Sequence, residues 1–145
     1  MAVGVSHTTY FRDELLALFL RERKSFARLF PFARVAAARL VIVESRCPNP
    51  PCAERDYACA ESAGESVPGV ITMTRRVLAL PRSNVVGLIR HELGHLADRS
   101  IRGGAEQRAD DLAERATGVR VRYDRRDLQT THNSGRWPRP KHLHQ

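Results

Sequence analysis

The chain has 145 residues, enough for one domain with an ordinary buried core. Its composition, 42% hydrophobic and 28% charged, is that of a soluble globular protein, and its longest unbroken apolar run, Leu15–Leu20, is too short to span a bilayer. The net charge of +8 comes almost wholly from arginine, since Lys24 and Lys141 are the only lysines. That surface admits a nucleic-acid or acidic-protein partner, yet the arginines are spread along the chain and no nucleic-acid motif accompanies them. A general arginine bias with no ligand is the other reading.

In chain order, Thr8 or Thr9 is expected to cap a first helix, with Asp13 and Glu14 near its positive end. Leu15, Leu16, Leu18, Phe19, Phe26, Leu29 and Phe30 recur at helical spacing, and Pro31 ends or kinks the helix. Residues 33–38 suit a short helical continuation. Leu40–Val43, apolar and mostly β-branched, is predicted to be a strand.

Residues 46–69 carry four prolines and the three cysteines Cys47, Cys52 and Cys59, and are predicted to be a long loop with one helical turn near 53–60. The C-x4-C-x6-C spacing lacks the second pair of a zinc finger. Three free thiols, a Cys47–Cys52 disulfide within the loop and a structural metal site all stay open. The N-terminus shows no charged start followed by an apolar stretch, so no secretory signal is evident and a cytoplasmic location is expected.

Val70–Thr74 and Val77–Leu80 are predicted strands, separated by Arg75-Arg76 and stopped by Pro81. Ser83 or Asn84 is expected to cap the next helix, which buries Val85, Val86, Leu88, Ile89, Leu93 and Leu96 and runs to about Asp98 or Ser100. Gly103-Gly104 marks a reversal, Glu106 opens a further helix, and Gly118 closes it. Val119–Tyr123 alternates like a short strand. One domain over residues 1–126 is expected, of α+β class with a short mixed sheet, followed by a polar tail over 127–145.

Inside the helix that opens near residue 83 lies His91-Glu92-Leu93-Gly94-His95, an H-E-x-x-H string for which this composition predicts about 0.015 chance matches. Two histidines four apart lie on one helix face, about 6 Å from each other, so both imidazoles can reach one zinc ion. Glu92 beside them can act on a water held by that ion. A catalytic zinc needs a third protein ligand. Asp98 lies about 10.5 Å along the helix axis from His91, too far for one straight helix to wrap three ligands around one ion, so it is expected at the helix end or behind the ligands. Glu106, brought back by the glycine reversal, is the expected third ligand. Asp110, one turn later, is placed to accept a hydrogen bond from the free ring nitrogen of a ligand histidine. Asp111 is expected to face solvent.

The H-E-x-x-H string followed by E-x-x-x-D resembles the gluzincin branch of the zincin metallopeptidases, and Glu106–Asp110 is similar to the second helix of small single-domain bacterial and phage members. The resemblance covers about Val70 to Gly118. It implies a zincin-like domain, with the sheet packed on the motif helix and on the ligand-bearing helix that follows. It also implies one Zn2+ per chain held by His91, His95 and Glu106, with Glu92 as general base and Asp110 orienting a histidine. The activity implied is hydrolysis of a protein or peptide substrate. Tyr123 and His132 are the candidates for the oxyanion-stabilising residue of the larger members. Only ten residues separate His95 from Glu106, fewer than in large gluzincins. A peptide would lie beside an edge strand, Val70–Thr74 or Val77–Leu80, and Arg75, Arg76 and Arg90 would favour acidic substrates. The alternative reading is a basic nucleic-acid-associated or regulatory module with a structural or vestigial zinc site.

Overall fold

A computed structural model describes residues 7–43, 57–100 and 103–121. In order they form α1 (His7–Leu29), α2 (Ala33–Ala36), β1 (Arg39–Val43), β2 (Ala58–Glu61), β3 (Val70–Thr74), a 3-10 helix (Arg75–Ala79), α3 (Arg82–Ala97) and α4 (Ala105–Thr117). Helices and a small sheet make the described part mixed α and β. None of its helices is long and apolar enough to cross a membrane. The predicted tail over 127–145 lies outside the described residues.

The face of α1 that enters the core carries Leu15, Leu18, Phe19 and Phe26, at the three- and four-residue steps of a helix. Leu16 and Leu29, which the periodicity also placed on the stripe, face solvent. The position between Phe19 and Phe26 is taken by Glu22, only 3% exposed, whose carboxylate receives the Arg90 guanidinium of α3 at 2.8 and 3.3 Å. A buried carboxylate requires such a partner, because its desolvation is otherwise uncompensated. α1 begins at His7, so Thr8 and Thr9 lie within it rather than ahead of it, and its first turn holds no acid. Glu14 instead pairs with Arg82 at the start of α3, so its charge serves a tertiary contact rather than the helix dipole.

The sheet has the order β1-β3-β2, with β1 parallel and β2 antiparallel to β3. β3 is therefore central, and Ile71, Thr72, Met73 and Thr74 are all buried. β2 corrects the part of the helical turn expected near 53–60 that lies from Ala58 on, where Cys59 pairs with Thr72 and Ala60 with Ile71; residues 53–56 lie outside the described residues. Alanine and cysteine have little strand preference of their own, and pairing with an already buried neighbour decides the matter. Cys59 is disulfide-bonded, which removes the free-thiol reading for that residue; Cys47 and Cys52 lie outside the described residues. Such a bond is characteristic of oxidising compartments and rare in a reducing cytosol.

Two further expectations are corrected around Pro81. Val77–Leu80 is no strand; residues 75–79 wind as a 3-10 helix whose three-residue turn points Val77 and Leu80 into the core together, both at 0% exposure. The cap of α3 is Pro81 rather than Ser83 or Asn84, with its carbonyl accepting the N–H groups of Asn84 and Val85 at 2.9 and 3.2 Å. The proline ring fixes φ near −58°, ready for helix entry. Val119–Val121 is irregular, so the expected strand there is absent among the described residues.

Helix α3 buries Val85, Leu88, Ile89, Leu93 and Leu96 and packs against α1, β2 and, most extensively, α4. The α3–α4 crossing is tight at Gly94. A Cβ on Gly94 would lie 2.2 Å from the Ala109 carbonyl oxygen and 2.9 Å from its Cα, so only glycine lets the two backbones meet. Gly104 (φ 83°) and Gly118 (φ 77°) bound α4 in the left-handed region, where a side chain is strained.

Candidate metal centre

Helix periodicity aims His91 and His95 from one face of α3 towards the first turn of α4. The rings sit edge to face with centroids 4.6 Å apart, and their Nε2 atoms are 3.1 Å apart. From α4, Glu106 brings Oε1 to 2.8 Å from His91 Nε2 and Oε2 to 3.2 Å from His95 Nε2. These three residues form a group whose donor atoms all lie within 4.8 Å of one another. Two ligands of a tetrahedral zinc ion, each about 2.1 Å from the metal, stand roughly 3.4 Å apart. The separations of 2.8, 3.1 and 3.2 Å come near that spacing with little movement, and two imidazoles with one carboxylate are a donor set suited to zinc.

The far side of the His91 ring is held by Asp110, whose Oδ1 lies 2.7 Å from Nδ1. With the Nδ1 proton donated to that carboxylate, Nε2 keeps its lone pair for a cation. His91 is 4% exposed and Glu92 6%, whereas the Glu106 side chain is 73% exposed. The donor set therefore has a buried back and an open front.

Electrostatics separate the two histidines. Burial works against protonation of His91, but the hydrogen bond to Asp110, the charge of Glu92 and the bond to Glu106 outweigh it and raise its pKa above the ordinary 6.5. His95 is lowered, first by burial and then by the neighbouring His91. Burial pushes Glu106 up, yet the two imidazoles overcome it and hold the carboxyl below its usual range. Glu92 is thus close enough for its charge to act on His91, the position a base beside the donor group requires.

Asp98 stands at the C-terminal end of α3 and touches neither imidazole. Its carboxylate receives Nε of Arg108 at 3.1 and 3.0 Å, and its charge reaches His95 only at a distance. Asp111 is exposed and binds Arg120 at 2.7 Å, as expected of a solvent-facing acid. Arg90, expected to attract acidic substrates, is engaged with Glu22, and Arg76 lies over the Tyr57 ring at 4.7 Å. Val70–Thr74 is central and 77–80 is not extended, so neither offers the edge expected for an incoming peptide; among the described residues the outer strands are β1 and β2. Tyr123 and His132 lie outside the described residues. Arg108 escaped the sequence reading, because its part shows only once the reversal at Gly103-Gly104 has brought it against Asp98.

The chain matches no protein-family model, no curated protein and no solved structure.

Proposed function

We propose that the protein is a zinc-dependent metallopeptidase with a zincin-like arrangement of helices. The observation that carries this reading is the convergence of His91 Nε2, His95 Nε2 and the Glu106 carboxylate beside the buried Glu92. His91, His95 and Glu106 would hold the ion, and zinc bound there supplies Lewis acidity and brings the pKa of water down towards about 7. Asp110 fixes the His91 ring and its tautomer through Nδ1. Glu92 takes the proton of the attacking water and passes it to the leaving amine as the peptide bond breaks. The exposed flank at Glu106 leaves room for a polypeptide.

The test is metal content and hydrolysis of casein, an unstructured protein substrate, by wild type and Glu92→Gln. About one zinc per chain in both, with cleavage only by wild type, supports the reading. A wild-type chain that takes up no zinc, or a Glu92→Gln variant that cleaves normally, overturns it. Salt-dependent DNA binding that persists in Glu92→Gln, with no cleavage by either protein, would favour the nucleic-acid module instead.

A further inference from the structure

We propose that Arg108 is a positioning residue for the metal centre, acting through Asp98; this rests on the reading of His91, His95 and Glu106 as metal ligands. Glu106 is the one member of that group outside α3, and with its side chain 73% exposed it has little packing of its own to place it. Its location depends on how the first turn of α4 is held against α3. No side chain caps α4, because its N-cap is Gly104. Arg108 cannot cap the N–H groups of that turn, being a donor only, but it fastens the turn from its carbonyl side. Its Nε reaches both Asp98 oxygens at 3.1 and 3.0 Å, and its Nη1 donates to the Gly103 carbonyl. The Asp98 side chain is 8% exposed, and its Oδ1 also accepts the Ser100 N–H at 2.9 Å. One guanidinium thus ties the end of α3, the turn and the start of α4 together.

The geometry makes this grip directional. Positions 106 and 108 differ by about 200° around the helix, so Glu106 and Arg108 hold opposite sides of the same turn. The Gly94–Ala109 contact lies next to both and acts as the fulcrum. With the Arg108–Asp98 bonds cut, α4 is free to roll about that contact and carry the Glu106 carboxylate away from the imidazoles. Lysine cannot replace this arginine, because a single ammonium cannot span a carboxylate and a carbonyl in the planar fork that the guanidinium provides.

The experiment measures zinc affinity of the full chain by competition with a chromophoric chelator, and the visible spectrum of the cobalt(II)-loaded protein. Arg108→Ala and the near-isosteric Asp98→Asn are each expected to weaken zinc binding about 10- to 100-fold and to alter the cobalt bands. The double variant should be no worse than the weaker single, because both remove one interaction. Arg108→Lys should recover only part of the loss, and Arg115→Ala, an exposed arginine of the same helix, should bind as wild type does. Thermal unfolding of the chelator-treated variants shows that each is folded, and Asp98→Asn serves if Arg108→Ala is not. Wild-type affinity in both single variants, full rescue by lysine, or an equal loss in Arg115→Ala overturns the proposal while leaving the metal centre intact. A wild-type chain that binds neither zinc nor cobalt overturns the metal reading itself.

Discussion

Replacing Gly94 with alanine sets two opposed effects against each other. In a helix interior alanine is favoured over glycine by about 1 kcal/mol, so propensity alone predicts a gain. The new Cβ, however, would sit 2.2 Å from the Ala109 carbonyl oxygen and 2.8 Å from its carbon. A carbon–oxygen contact needs about 3.3 Å, so α3 and α4 must part by roughly 1 Å. The clashing atoms are backbone and cannot rotate aside, which puts the overpacking cost near the top of its usual range, about 3 kcal/mol. The net expectation is a loss of about 2 kcal/mol, or roughly 8 °C in Tm for a chain of this size. The same displacement would lengthen the 2.8 and 3.2 Å approaches of Glu106 to the histidines, with zinc affinity down by about 10- to 100-fold. Circular dichroism melts in excess chelator isolate the first effect, and titration with zinc reads the second. A Gly94→Ala protein that melts at or above wild type and binds zinc equally well would refute the close-approach reasoning.

Three further outcomes follow from groups already described. In the metal-free protein the raised pKa of His91 and the lowered pKa of His95 act on opposite sides of 6.5. Below that value stability rises with pH as His95 sheds a proton its folded environment disfavours. Above it stability falls as His91 loses a proton the folded state had gained, and both contributions vanish beyond their folded pKa values. Urea unfolding between pH 5 and 9 in chelator should therefore peak near 6.5, and Asp110→Asn should shrink the high-pH limb; a monotonic curve in wild type would contradict the assignment. Arg90→Met strands most of the Glu22 charge, relieved only by the exposed Arg21 at 3.2 Å, and should cost about 2 kcal/mol in urea unfolding. Glu22→Leu combined with Arg90→Met should recover most of that loss, and a double variant as unstable as the single would show that the pair is not the cause.

The parts of the fold that were legible are those where one periodicity dominates. α3, the reversal at Gly104, α4 and its end at Gly118 follow from apolar spacing and glycine placement, and the proximity of Glu106 and Asp110 to His91 followed from the same helical geometry. β2 was hidden because Ala58, Cys59 and Ala60 carry no strand signal; pairing with β3 makes the strand, and that is a long-range fact. Val77–Leu80 misled because an apolar quartet fits a strand and a 3-10 turn alike, and the exposure of alternate positions is known only after folding. Pro81 displaced Ser83 and Asn84 as the cap since a fixed φ competes well with a side-chain hydrogen bond. Glu22 and Arg108 were opaque singly, as each has meaning only through a partner on another element.

All the groups that meet at the centre, from His91 to Asp110, lie within a stretch of twenty residues. A loop that short costs little entropy to close, so the helical hairpin can assemble before the sheet pairs distant segments. A cation arriving at that stage would add its binding energy to the folding of the hairpin itself. The rest of the molecule then serves mainly as a cradle for that hairpin, fixing α3 through Glu22 and Glu14 on α1.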